Sequence, residues 1–291
     1  MRPDERFLNK PKSFWACVRS ISQTGGYTQR GGSKSVKVHD LASMREAFKA
    51  LELRDEVLRQ ANGKPTSLAA ELMEYFQYRA DVLNNHVRVK LMDVDEARQV
   101  FSALNAKLRP SRAVPMNKQK GEKKSEAYLT GMVNMLIEAH AEGLPCNYDP
   151  RSLTTITENG VPIRTLARRV DGAFPTTVNP VAVWEIKEYY YTTTFGSRVA
   201  DGVYESLLDG MEVEELRESE GIDVKHYLMV DSHFTWWECG RSYLCRMVDM
   251  LHMGYVDEIL FGKEVVEEMP RIMAELVQMV RDKGGVKAEP D

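Results

Sequence analysis

The run Val181-Ala182-Val183-Trp184-Glu185-Ile186-Lys187 constrains the fold more than any other stretch of this chain. It is almost wholly apolar until its end, as a central strand buried on both faces must be. Strand side chains alternate between faces, so Glu185 and Lys187 point one way while Trp184 and Ile186 point the other. A charged pair at the end of a buried strand is costly unless it is satisfied or used.

The neighbouring pattern places this strand in an α/β arrangement. Ser125 caps a helix that ends near Gly143, with Met132, Met135, Leu136 and Ala139 facing a core. A first strand follows from Leu153 to Thr157, and Asn159-Gly160 signals a tight hairpin. A second strand runs from Val161 toward Asp171 and Phe174, and the Val181 run is the third. Gly196-Ser197 opens a helix with Val199, Val203, Leu207 and Met211 at spacing four. His226 to Val230 reads as a fourth strand, and further helices span Cys239 to His252 and Met269 to Arg281. Helix, three strands, helix, strand is the order of a sheet covered by helices.

The part before this reads as a mostly helical N-terminal module, residues 1–108. A helix after Pro11 carries Phe14, Trp15, Val18 and Ile21 on one face. Val36-Lys37-Val38 suggests a short strand, and Asp40 suits the N-cap of a helix from Leu41 to Leu53. Two more helices are expected at Ser67–Leu83 and Asp95–Leu108. Residues 109–124, with Pro110, Pro115, Gly121 and a run of lysines, read as an exposed basic linker, leaving 125–291 as the second domain.

If the second and third strands pair, Asp171 and Glu185 converge at one sheet edge. Two carboxylates with few other ligands suit Mg²⁺, a hard cation that prefers oxygen. Such an ion binds a scissile phosphate and lowers the pKa of a bound water. Lys187 beside them would orient that water or offset charge on the phosphorane. The other account of the same residues is a buried ion pair, Lys187 neutralising Glu185.

Asp171, a thirteen-residue gap and Glu185-Ile186-Lys187 resemble the PD-(D/E)XK nuclease superfamily, as does the αβββαβ element order across about residues 122–232. Val170 departs from the pattern, standing where that family has proline. The resemblance implies a restriction-endonuclease-like core, a mixed central sheet flanked by helices. It also implies Mg²⁺-dependent hydrolysis of double-stranded DNA, with Mn²⁺ as a substitute metal, in a type II-like, sequence-specific enzyme. By the same analogy the enzyme is a homodimer with a cognate methyltransferase encoded nearby. An acidic residue on the preceding helix supports the metal in many members; Glu126 matches, ahead of Glu138. Arg198, opening the next helix, is a candidate phosphate contact. The alternatives are a DNA repair or phage-defence nuclease of loose specificity, a non-catalytic DNA-binding protein of the same fold, and an interaction scaffold built on the acidic C-terminal region.

Charge is unevenly spread. Residues 1–40 carry eight Lys/Arg against three Asp/Glu, residues 107–124 seven against one, and residues 201–291 nine against twenty-one. The basic stretches suit phosphate, or are solvated faces. The loop from Gln23 to Lys34 offers Gln29, Arg30 and Lys34 as candidate DNA contacts, or is a surface loop. Tyr189-Tyr190-Tyr191 either lines a DNA groove or reflects strand propensity. Four scattered cysteines without a CxxC point to free thiols. His233, Cys239, Cys245 and His252 lack zinc-ligand spacing. No apolar run is long enough to span a bilayer, and residues 1–6 lack a signal-like apolar stretch, so a cytoplasmic protein is expected.

Overall fold

The computed structural model describes residues 1–29, 35–117, 124–192 and 196–284. The chain opens with α1 (Glu5–Leu8) and α2 (Lys12–Gly25), with Pro11 at the N-cap of α2. Phe14, Trp15, Val18 and Ile21 bury one stripe of α2, at the spacing the sequence displays. The Asp40 carboxylate accepts from the Ser43 amide at 2.8 Å and starts α3 (Leu41–Ala50), which ends three residues before the expected Leu53. α4 (Ser67–Asp81) continues through a π-helical turn, Val82–Val87, into α5 (Arg88–Lys90). Helices α1 to α4 enclose an aromatic core that includes Phe7, Phe14, Trp15, Tyr75 and Phe76. The expected strand at Val36 is reduced to a single bridge with Thr28.

His39 is buried in this module, with Nε2 3.0 Å from the Gly26 carbonyl and its ring against Phe76. Burial, reinforced by Lys37 and Arg79, pushes its pKa down to about 4. The ring is therefore neutral in the fold, while the unfolded chain takes up a proton near pH 6.5. Between these values the unfolded state holds more protons, so this contribution to stability is lost as pH falls. His39→Gln should show an unfolding free energy that drops by roughly 2 kcal/mol less than the parent's between pH 7 and pH 5. Equal drops in urea titrations of the two proteins would refute the assignment.

Over its described part the basic linker is largely exposed, yet it is bonded to its neighbours. α6 (Val94–Leu108) begins with a capping box of Asp93 and Glu96. After it, Ser111 donates from its amide to Glu138 at 2.9 Å, and Arg112 stacks on Tyr148 at 4.0 Å. The Ala127 amide donates to the Pro115 carbonyl, and the Asn117 amide to that of Ser125. Pro115 and Asn117 pair through the main chain with Ala127 and Ser125, just ahead of α7 (Tyr128–His140). Because of that pairing α7 starts at Tyr128, and Ser125 does not cap it.

The strands also depart from expectation. β1 (Thr155–Glu158) and β2 (Val161–Thr165) form a separate antiparallel hairpin outside the main sheet. Asn159 and Gly160 turn it with φ of 51° and 79°, the backbone a two-residue hairpin demands. The expected second strand is broken. Ala167 leaves the ladder to donate its amide to Glu212, and only β3 (Gly172–Phe174) resumes pairing. The main sheet then comprises β3, β4 (Ala182–Glu188), β5 (Lys225–Asp231) and the unanticipated β6 (Glu258–Phe261), in that spatial order. β3 pairs antiparallel with β4, and the remaining pairs are parallel.

α8 (Ser197–Glu220) links β4 to β5, and α9 (Arg241–His252) precedes β6. The expected helix from Cys239 begins as a π-helical turn, His233–Cys239, before α9. α10 (Glu264–Asp282) follows β6. One sheet face, with Trp184, Tyr227, Met229 and Leu260, packs on α6, α7 and α10. The other, with Leu228, Val230, Ile259 and Phe261, packs under α8 and α9. The fold is thus mixed α/β, a four-stranded mixed sheet between helical layers. The N-terminal module joins it through Arg79, whose Nη1 donates to both oxygens of Asp249 on α9 at 2.9 and 3.0 Å. No helix among the described residues is long and apolar enough to cross a membrane.

Candidate active site

Antiparallel register brings the first two candidate residues to the end of one ladder. That ladder ends where Gly172 faces Trp184, with Glu185 one residue further along β4. Asp171 stands just before β3 and outside it, rather than closing a strand. Its amide donates to the Trp184 carbonyl at 3.1 Å, and its Oδ2 accepts from the Ile186 amide at 2.8 Å. That bond orients the carboxylate toward the end of β4.

Gly172 makes the approach feasible. A Cβ there would lie 2.1 Å from Cε2 and Cζ2 of the Trp184 indole. Gly172→Ala is expected to cost about 1–3 kcal/mol by overpacking and to displace Asp171. An unfolding midpoint equal to the parent's would contradict this.

Glu185 is completely buried and Lys187 nearly so. Lys187 Nζ donates to Glu185 Oε2 at 2.6 Å. Arg168 Nη1 lies 2.9 Å from Glu185 Oε1 and donates to Asp209 Oδ2 at 2.6 Å. Its other terminal nitrogen reaches Glu205 Oε2 at 3.3 Å, and Lys187 Nζ lies 3.7 Å from the same oxygen. Five charged side chains from three elements thus form one layer between β4 and α8. Gly202 on α8 lets that helix close over the aliphatic part of Lys187.

The electrostatics follow from this packing. Burial would raise the Glu185 pKa, but Lys187 and Arg168 outweigh it and hold the carboxyl below its usual range. Burial would lower that of Lys187, and Glu185 with Asp171 holds it above its ordinary value. Asp209 goes the other way. Burial, with Glu185 adding, pushes its pKa up to about 7 against the opposing pull of Arg168. Asp209 Oδ1 is buried without a hydrogen-bond partner.

The remaining candidates lie elsewhere or outside the described residues. Glu126 is exposed, two residues before α7, and accepts from the Ser125 hydroxyl at 3.2 Å. Glu138 is bound to Ser111. Arg198 sits in the first turn of α8, and its side chain lies outside the described residues. Arg30 and Lys34 also lie outside them; Gln29 is exposed and donates its amide to Ser35. The tyrosines after β4 are anchors. Tyr190 donates to Asp231 at 2.5 Å and Tyr191 to Ser125 at 2.8 Å. Arg168, Glu205 and Asp209 were not singled out from sequence. Their one signal was a pair of acids four apart on a helix that otherwise buries Val199 and Val203.

Residues 92–276 match the family model described as Domain of unknown function (DUF7687). The chain belongs to the DUF7687 family. The matched region runs from the residue before the α6 capping box into α10 and contains the whole charged layer. Residues 1–86 match a second model, Domain of unknown function (DUF7690), which covers the helices of the N-terminal module through α4. The two matches meet between residues 86 and 92, so α6 falls with the sheet whose core it shares. No curated protein and no solved structure matches the chain.

Proposed function

We propose that the chain is a Mg²⁺-dependent nuclease with a restriction-endonuclease-like core, hydrolysing phosphodiester bonds of double-stranded DNA. The observation that carries this reading is the Asp171 carboxylate held at the Ile186 amide, between Glu185 and Lys187 in β4, with Lys187 bonded to Glu185. Element order supports it. Along the chain α7, the β1–β2 hairpin, β3, β4, α8 and β5 follow in turn; of these strands only β3, β4 and β5 share the main sheet, and Asn147 adds a single bridge to β3 at Ala173.

The donor chemistry fits a hard divalent cation. Asp171 and Glu185 would hold it, and Glu185 Oε1 has only the Arg168 guanidinium beside it and no hydrogen bond. Arg168 takes the cation's place in this conformation, so the reading requires it to withdraw. When bound, the metal supplies Lewis-acid stabilisation of the phosphate and a water of lowered pKa. Lys187 holds Glu185 ionised and presents an ammonium to developing negative charge. Restriction-type specificity, Mn²⁺ substitution, a homodimer and a partner methyltransferase belong to the same proposal.

Incubation of plasmid and phage DNA with the protein tests it, in Mg²⁺ and in EDTA, beside Asp171→Ala. Discrete Mg²⁺-dependent fragments that vanish in the folded variant would support the assignment. A second reading rests on Arg168, whose bridging of Glu185 and Asp209 makes the layer a neutralised structural core, as in a non-catalytic DNA-binding protein. DNA retention without cleavage under every condition would favour it.

A further inference from the structure

A cleft of about 310 Å³ lies between α2, α8 and α9, outside the charged layer. Its α8 residues, Tyr204 and Leu207, lie on a different side of that helix from Glu205 and Asp209. Arg19 and Arg246 supply its charge. The Arg246 guanidinium carbon sits 4.9 Å from the Tyr27 ring centroid and 4.6 Å from that of Tyr243, and Nη2 donates to Gln23 at 3.3 Å. Arg19 Nη2 donates to the Met253 sulfur at 3.3 Å. Neither guanidinium has a carboxylate within ion-pair distance among the described residues. The one acid in the lining, Asp249, is taken up by Arg79 and by the Tyr75 hydroxyl at 2.6 Å.

Two guanidiniums without a counter-ion beside a cavity favour an anion, and their planar fork suits phosphate. The Tyr27 and Tyr204 rings, with Leu207 beside them, favour a flat apolar group. The volume is at the small end for ligand sites. We propose that this cleft binds a 5′-phosphorylated nucleoside, its phosphate on Arg19 and Arg246 and its base against Tyr27 and Tyr204. The same chemistry is offered by a free nucleotide and by the phosphorylated end of a strand. The proposal does not depend on the nuclease reading.

Calorimetric titration of the full chain with AMP, adenosine and inorganic phosphate tests it. AMP is expected to bind with a Kd of about 100 μM or tighter, and adenosine and phosphate each at least about tenfold more weakly. Arg246→Gln should weaken AMP about tenfold or more. Tyr204 is half-exposed and Arg19 exposed, so Tyr204→Ala and Arg19→Ala keep the fold and should each weaken AMP several-fold. Displacement of AMP by a 5′-phosphorylated tetranucleotide, but not by its hydroxyl-ended form, assigns the strand end. Displacement by mononucleotides alone assigns the free nucleotide. Absence of binding by AMP, GMP, CMP and UMP up to about 2 mM would overturn the proposal. So would AMP binding no tighter than phosphate, or AMP affinity unchanged in both Tyr204→Ala and Arg19→Ala.

Discussion

On the proposed nuclease reading, Glu185→Gln is expected to lower Mg²⁺-dependent DNA cleavage by about a thousandfold or more, because a metal held there would supply several kcal/mol of transition-state stabilisation. Glutamine keeps the volume and one oxygen but removes the charge that Lys187 and Arg168 converge on at 2.6 and 2.9 Å. The two cations then lose their shared counter-charge in a buried layer. Asp209, with a pKa near 7, and Glu205 are the acids left to balance them. Stability is therefore expected to fall as well, so cleavage must be read on protein shown to be folded by circular dichroism. Lys187→Met tests the same pair from its other side. It leaves both carboxylates, and on the nuclease reading it too loses cleavage. Folded Glu185→Gln protein that cleaves at the parent's rate would remove Glu185 from the mechanism.

Arg79→Met is expected to destabilise the chain by about 3–5 kcal/mol, the usual consequence of leaving one partner of a buried pair uncompensated. Arg79 is completely buried on α4. It bonds Asp249 on α9 and donates to Ser22 Oγ on α2 at 3.0 Å. The Tyr75 hydroxyl donates to the same Asp249. This network is the polar seam between the N-terminal helices and the layer over the sheet. Removing only the arginine leaves the buried Asp249 carboxylate without its cation. Replacing both, as Arg79→Met with Asp249→Leu, removes that stranded charge and should recover most of the loss. Urea unfolding measures both. A single variant within about 1 kcal/mol of the parent, or a double variant no better than the single, would show that the seam is not what joins the two parts.

Much of the local structure was legible because it depends on neighbours in the chain. Asp40 before an apolar periodic run, Pro11 ahead of Phe14 and Trp15, and Asn159-Gly160 act within a few residues of themselves, and each structures the backbone where expected. The alternation in Val181–Lys187 likewise assigned each β4 side chain to a face, with Trp184 in the core under α7 and Glu185 on the α8 side.

Other features escaped because they depend on partners distant in sequence. The break between β2 and β3 is made by Glu212 on α8, forty-five residues from the amide it accepts. The basic segment after α6 reads as a solvated linker and is largely exposed, but its main-chain bonds to Ser125 and Ala127 have no sign in its own composition. β6 is only four residues of mixed type and becomes a strand because the β5 edge awaits it.

The candidate site divides along the same line. By itself the sequence determined that a strand burying Val183 and Trp184 must carry Glu185 and Lys187 together on one face, because two-residue periodicity is a property of the backbone. Only the tertiary structure decided that Asp171 comes to β4, on the Ile186 amide, since that depends on how the chain enters β3. Only it decided that Arg168, Glu205 and Asp209 complete the layer, since a helix reaches Glu185 through packing of its face and not through spacing along the chain.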